Sequence, residues 1–385
     1  MFEAGNANAA LYFVDRHCVE GRGDKVAYID AAGETTFDGL RQATDRMVGF
    51  YEGLGVPRES RVAMLVLDAI AFPVIFWGSL KAGIVPVALN TLLSTDQYRF
   101  ILGDCRARVL FVSAPLYETV APLLDGHPTI EHVFVIGGEA GGHPRFEDRL
   151  ASAPPGPAVA VTGDETAFWL YSSGSTGMPK GVIHVHSSLK GTSDTYALNV
   201  LGIREDDVVF SVAKLFFAYG LGNAMTFSLA VGATTVLFPG RPTPDAIFEV
   251  LETHRPTVFY AVPTLFAAML GAAGGGPVPG MDRVRLSVSA GEALPEEIGA
   301  RWKARHGTDI LDGVGSTEML HIFLSNVPGD VVYGTSGVPV PGYDVRLVDE
   351  RDADVAVGEV GEMLVKGGTA ASAYWNQREK SRRTF

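Results

Sequence analysis

Leu40, Ala43, Met47, Phe50 and Leu54 recur at three- and four-residue intervals, one apolar face of a helix, and Gly55 supplies its stop. Apolar runs bounded by turn residues predict buried strands at 61–67 (RVAMLVL), 84–88 and 108–113 (RVLFVS). Between them, 71–82 reads as a helix, and Ser94 or Thr95 caps another. This alternation predicts a mainly parallel sheet covered by helices. Two loose stretches follow, 137–144 (GGEAGGHP) and 153–157 (APPGP), and mark a boundary near 160.

The rhythm resumes with a strand at 167–172, a Gly-rich loop and a helix from about His184. Further strands are predicted at 208–212, 234–238, 257–260, 285–289 and 309–312. Residues 215–240 carry no charge over 26 positions, longer than a span needs at ~20. Gly220, Gly222, Asn223, Thr226, Ser228 and Pro239 break that run up. It is read as a buried helix, a stop at Gly232 and a buried strand. Past Tyr333 short β runs, 344–348 and 362–366, lie between Gly/Pro turns, and 378–385 (REKSRRTF) reads as a solvated basic run. The expected fold class is therefore α/β, with subdomains at 1–160 and 161–330 and a β-rich one at 331–385.

Composition narrows the function. Hydrophobic residues at 47% and charged ones at 19% exclude a disordered chain or a coiled coil. A net charge of −13 opposes nucleic acid or anionic lipid as partner. Cys18 and Cys105 are the only cysteines, too few for a disulfide framework or a Cys-based zinc site. The start has no basic stretch leading into an apolar run, so no signal peptide is read and the cytoplasm is the expected location. The 45 glycines and 22 prolines without a repeat period imply many specialised loops.

The sharpest chemical signal is 171–181, YSSGSTGMPKG. Ser172, Ser173, Ser175 and Thr176 offer hydroxyls, Gly174 and Gly177 allow close backbone approach, and Lys180 adds a positive charge. Between a predicted strand and a predicted helix, such a loop suits phosphate. It is no Walker A loop, because Gly and Lys are not adjacent and no Ser/Thr follows the lysine. Gly220-Leu221-Gly222 opens like a dinucleotide fingerprint but lacks the third glycine. A plain Gly/Ser linker would need four hydroxyl residues and the Pro-Lys-Gly ending by chance.

The loop resembles the phosphate loop of the acyl-adenylate-forming (AMP-dependent synthetase/ligase) family. Residues 289–294 (SAGEAL), 312–318 (DGVGSTE) and 359–376 (EVGEMLVKGGTAASAYWN) resemble its later motifs, in order. Residues 214–223 (KLFFAYGLGN) and 315–326 (GSTEMLHIFLSN) resemble the aryl branch, the benzoate–CoA and 4-hydroxybenzoate–CoA ligases. The resemblance implies two α/β subdomains and a smaller β-barrel-like one. It also implies that a mobile C-terminal lid domain lies outside these residues, and that this stretch alone turns over weakly or not at all.

The implied reaction activates an aromatic acid with ATP to an acyl-adenylate, which coenzyme A converts to a thioester. The resemblance assigns the β- and γ-phosphates to Ser172, Ser173, Gly174, Ser175, Thr176, Gly177 and Lys180. Glu318 becomes the Mg²⁺ ligand with Thr176 close to the ion; a hard carboxylate oxygen suits it. Thr317 falls to the α-phosphate, Gly291, Glu292 and Ala293 to an adenine wall, and Asp312 and Gly313 to the nucleotide site. Thr176, Lys180, Thr317 and Glu318 form the catalytic set. The family often has an aromatic residue where Val314 stands, so no stacking platform is expected.

The acid pocket is assigned to Phe217, Ala218, Tyr219, Gly315, His321 and Ile322, with Ala218 and Gly315 leaving room for a flat ring. His321 reads as a pocket-lining or structural residue, having no second ligand near it in sequence. Lys214 fits a surface position as well as a site and is left unassigned. Expected partners are the aromatic acid, ATP and CoA, with a homodimer compatible. Three alternatives stay open: a hydroxy- or aminobenzoate ligase, an isolated ATP/aryl-acid binding module, and an adenylation domain serving a carrier protein.

Overall fold

The computed structural model describes residues 5–172 and 178–385. Its strands form two large sheets and one hairpin. The seven-stranded sheet runs Ala373–Tyr374, Lys180–Val185, Thr166–Ser172, Val85–Ala88, Arg61–Leu65, Val109–Ser113 and His132–Ile136, its last five strands parallel. The nine-stranded sheet runs Val338–Pro339, Ile322–Ser325, Ile310–Gly315, Leu286–Ser289, Val258–Ala261, Val208–Ser211, Thr234–Val236, Val26–Asp30 and Gly33–Thr36. Its six central strands are parallel and its margins antiparallel.

Local signals explain the helices between strands. Phe37–Leu54 starts at Thr36, whose side chain accepts from the Gly39 amide, and ends at Gly55 in the left-handed conformation. Ser94 and Gln97 form a reciprocal cap on Thr95–Cys105. The uncharged stretch forms helical turns from Ala218 to Val231, with a π-helical centre at Gly222–Thr226, then turns at Gly232 into the strand Thr234–Val236. No described helix is long and apolar enough to cross a membrane. One core spans both sheets, joining Phe72, Phe76 and Trp77 to Leu215, Phe216, Ala218 and Leu221.

The structure departs from the sequence reading in four places. The hairpin Val26–Thr36 belongs to the nine-stranded sheet, and Thr166–Val185 belongs to the seven-stranded one, so a linear division at 160 follows neither sheet. The Gly-rich loop joins two antiparallel strands, Thr166–Ser172 and Lys180–Val185, and the helix begins only at His186. The predicted strand-to-helix turn fails because 180–185 (KGVIHV) pairs as a strand on both sides, with Thr166–Ser172 and with Ala373–Tyr374. The β-rich region makes one separate hairpin, Tyr343–Val348 with Glu362–Gly367, and lends an edge strand to each large sheet, less closed than a barrel-like unit. Finally, Arg378–Thr384 is a helix whose Ser381 hydroxyl accepts from the Tyr374 amide at 2.9 Å.

Candidate active site

The antiparallel pairing of Thr166–Ser172 with Lys180–Val185 brings Lys180 opposite Ser172, the last pair before the connecting segment. Ser173, Gly174, Ser175, Thr176 and Gly177 lie outside the described residues. Lys180 Nζ lies 2.7 Å from Glu318 Oε1 and donates to the Tyr374 hydroxyl at 2.9 Å. That hydroxyl in turn donates to Glu318 Oε1 at 2.9 Å. The three groups close a triangle at the meeting of the seven-stranded sheet, the 312–318 motif and the chain's last strand. Burial opposes charge on both ionic members. Hydrogen bonding within the triangle outweighs it, holding Lys180 above and Glu318 below their ordinary values.

Glu318 is the carboxylate expected to bind magnesium, and here an ammonium sits on it. Among the described residues no group of three or more His, Cys, Asp or Glu could hold a metal. One carboxylate fits an ion that takes its other ligands from water and phosphate, as Mg²⁺ does. Thr317 is fixed by its backbone: the buried His184 donates Nε2–H to the Thr317 carbonyl at 2.8 Å, which sets the ring's tautomer. Burial pushes His184 down to about 4, so it is neutral near pH 7. The turn 317–320 closes with Leu320 in the left-handed region.

Asp312 sits within the strand Ile310–Gly315, paired with Ser289, and burial pushes its carboxyl up to about 6 against the pull of the nearby Leu294 amide and Ser289 hydroxyl. Gly291 (φ +93°) turns the chain out of that neighbouring strand, with Glu292 and Ala293 exposed behind it. Gly313 must lack a side chain, because a Cβ there would press on Ile322 at 2.9 Å. Val314 stands half-buried in the same strand.

A cavity of about 1120 Å³ opens at the carboxyl ends of the parallel strands. Phe217, Ala218, Tyr219, Gly315, His321 and Ile322 all border it, together with Gly291 and Thr317 from the nucleotide set. Ser172, Lys180, Glu292, Ala293, Asp312, Gly313 and Glu318 are not on its wall. Phe217 is 46% exposed and stands at the rim; Ala218, His321 and Ile322 are buried. The Tyr219 hydroxyl is spent on main-chain carbonyls, Val288 at 3.1 Å and Ala261 at 3.3 Å. His321 donates Nε2–H toward the Tyr219 carbonyl and Asn223 Oδ1, both at 3.2 Å. Burial pushes it down to about 3, which makes it a neutral wall residue. Gly222 makes room for it, since a Cβ there would collide with the imidazole.

Gly315 plays a different part from the one expected. A Cβ at this position would meet the His321 carbonyl oxygen at 2.6 Å and carbon at 2.7 Å. The missing side chain admits the neighbouring backbone rather than a substrate ring.

The family model described as AMP-binding enzyme matches residues 15–375. The chain belongs to the AMP-binding enzyme family. Within that family it is 50% identical over 379 residues to a 4-hydroxybenzoate–CoA/benzoate–CoA ligase of Rhodopseudomonas palustris, covering 98% of this chain and 70% of that protein. It is 51% identical over 385 residues to the benzoate–CoA ligase of Thauera aromatica, covering 98% and 72%. The solved benzoate CoA ligase from Burkholderia xenovorans LB400 superposes with a TM-score of 0.91 at 47% identity, covering 98% of this chain and 74% of that one. The family's α/β fold, with parallel sheets flanked by helices, is the fold described above.

Sequence reading missed three members of the site. Tyr374 and His184 are single polar residues within short strands, where no periodicity marks them. Lys214, left unassigned, borders the cavity, half-buried with its ammonium held by carbonyls.

Proposed function

We propose that the chain carries the nucleotide- and acid-binding part of a benzoate–CoA ligase. The observation that carries this reading is that one cavity brings together six acid-pocket candidates with Gly291 and Thr317 of the nucleotide set. The relatives named for benzoate and 4-hydroxybenzoate support it, each at about half identity.

In this reading the aryl ring lies between Tyr219, Ala218 and Ile322, with Phe217 at the mouth. The carboxylate oxygen attacks the α-phosphorus of ATP and the α–β bridging P–O bond breaks. The products are an acyl-adenylate and pyrophosphate. The CoA sulfur then attacks the acyl carbon and AMP leaves, giving the aryl thioester.

Two anions meet in the first half, so fixed cations and donors lower its barrier. Lys180 supplies the charge at the phosphates. Thr317, held by His184, presents its hydroxyl to the α-phosphate. Glu318, with Thr176 of the phosphate loop, would hold Mg²⁺, which offsets phosphate charge when bound. The Lys180–Glu318–Tyr374 triangle keeps the charged pair satisfied before nucleotide arrives.

The test is benzoate-dependent AMP release and benzoyl-CoA formation by the full-length ligase that carries this chain, across benzoate and its 4-hydroxy and 2-amino analogues. Absence of AMP release with every aromatic acid overturns the reading. A preference for 4-hydroxybenzoate moves it to the first activity in the Rhodopseudomonas relative's name.

A further inference from the structure

Lys214 and Asp68 join the two large sheets at the rim of the cavity. Asp68 lies three residues past the strand Arg61–Leu65 of the seven-stranded sheet. Lys214 lies three past Val208–Ser211 in the nine-stranded sheet, and Phe238 and Gly240 follow the adjacent strand Thr234–Val236. Lys214 Nζ donates to the Phe238 carbonyl at 2.6 Å and the Gly240 carbonyl at 2.8 Å, and lies 3.9 Å from Asp68 Oδ2. Asp68 is buried, and its Oδ1 accepts from the Leu215 amide at 3.2 Å. One ammonium therefore holds the turn after one strand, and the carboxylate of the other sheet holds the backbone next to that lysine.

These contacts bear directly on the acid wall. Leu67, Lys214, Phe217 and Gly240 all border the cavity. The Phe217 amide donates to the Lys214 carbonyl at 3.0 Å, and the Leu221 amide donates to the Phe217 carbonyl at 2.8 Å. Gly220 packs so closely beneath that a Cβ would collide with the Lys214 carbonyl. Any shift of Lys214 is thus passed to Phe217, Ala218 and Tyr219. A fixed backbone of this kind sets where a ring can lie, and a misplacement of about 1 Å is enough to cost up to about 100-fold.

We propose that Lys214, clasped to Asp68 across the two sheets, is a positioning residue for the aryl-acid pocket. It acts through the 238–240 turn and the Phe217–Tyr219 wall rather than by touching the reacting atoms. The inference rests on the reading of this cavity as the acid pocket.

The test separates positioning from general stability. Lys214→Met alone strands a buried carboxylate. Lys214→Met combined with Asp68→Asn removes both charges, and such neutral replacement of a pair is generally tolerated. The Asn still accepts from the Leu215 amide, while the Phe238 and Gly240 carbonyls stay released. The double variant is expected to keep its thermal midpoint near the parent's, to raise KM for benzoate about tenfold or more, and to leave KM for ATP unchanged. Asp68→Asn alone keeps the carbonyl bonds and loses only the ionic half of the clasp, so it is expected to raise benzoate KM less than the double variant does.

A double variant with unchanged benzoate KM, or one in which both KM values move together, overturns the clasp. Should the double variant not fold, Lys214→Arg decides. Its fork keeps the charge but cannot place one nitrogen between the two carbonyls. A raised benzoate KM with an unchanged midpoint supports the clasp, and an unchanged KM overturns it. All variants are made in the full-length ligase that carries this chain: a full-length parent without benzoate-dependent AMP release overturns the pocket reading and this inference with it, whereas a working parent with unaffected variants overturns the clasp alone.

Discussion

Acidification from pH 7 to pH 5 sets two buried populations against each other. His17, His184, His186 and His321 are all buried, and burial pushes them from 6.5 to about 3, 4, 4 and 3. Below pH 6.5 the unfolded chain takes up these protons and the folded one does not, so each histidine loses stability as pH falls. At pH 5 each loss is about 2 kcal/mol, or about 8 for the four. Asp68 and Asp312 act in the opposite sense, because burial raises them from 3.8 to about 7 and about 6. Their folded forms take up protons first, which returns about 4 kcal/mol over the same interval. The histidines win by about 4 kcal/mol, a large share of a typical stability of about 5–15 kcal/mol. Guanidinium denaturation at pH 7, 6 and 5 should show a falling midpoint, and His184→Gln should reduce that fall by about 2 kcal/mol whatever it does at pH 7. A midpoint that holds or rises toward pH 5, or a His184→Gln slope equal to the parent's, refutes the reasoning.

Tyr374→Phe removes a hydroxyl bonded at 2.9 Å to both Lys180 and Glu318 while leaving their direct contact, so a stability loss of about 1–2 kcal/mol is expected by chemical denaturation, with a raised KM for ATP. Gly315→Ala forces a methyl against the His321 backbone and should cost about 1–3 kcal/mol. Because it displaces the wall and not the ring space, it should slow benzoate and ring-substituted acids alike in pyrophosphate exchange. Ala218→Val, which adds bulk at a buried position on the cavity wall, should instead hurt 4-substituted benzoates more than benzoate in the same assay.

Much of this site was legible because its chemistry is written in contiguous runs. The segments 214–223, 289–294 and 312–318 each lie at the carboxyl end of a strand, the last beginning within it, so their order along the chain maps onto one rim. Contiguity also explains what was hidden. Tyr374 reaches Lys180 across 194 positions, and His184 reaches Thr317 across 133. Tyr374 stands inside the 359–376 run, but nothing there singles it out from its neighbours, and no motif covers His184. Gly315 was read as empty space because a glycine in a motif shows only that a side chain is missing, and not which neighbour fills the gap. The strand Lys180–Val185 was read as the end of the Gly-rich loop and the start of a helix at about His184; the sheet pairing that fixes it comes from residues on both sides, Thr166–Ser172 and Ala373–Tyr374.

The hairpin at Val26–Thr36 has a consequence for how the chain is made. Val26–Asp30 pairs with Thr234–Val236, and the Thr234 hydroxyl donates to the Val26 carbonyl across 208 positions. At about 5–20 residues per second, a ribosome needs roughly 10–40 seconds after the first strand to deliver its partner. Through that interval the nascent chain carries an open strand edge and an apolar helix with no sheet to complete. Closing so long a loop also slows folding. A polypeptide cut near residue 160 would hold four strands of one sheet and two of the other, so it should accumulate with chaperones rather than fold as a unit.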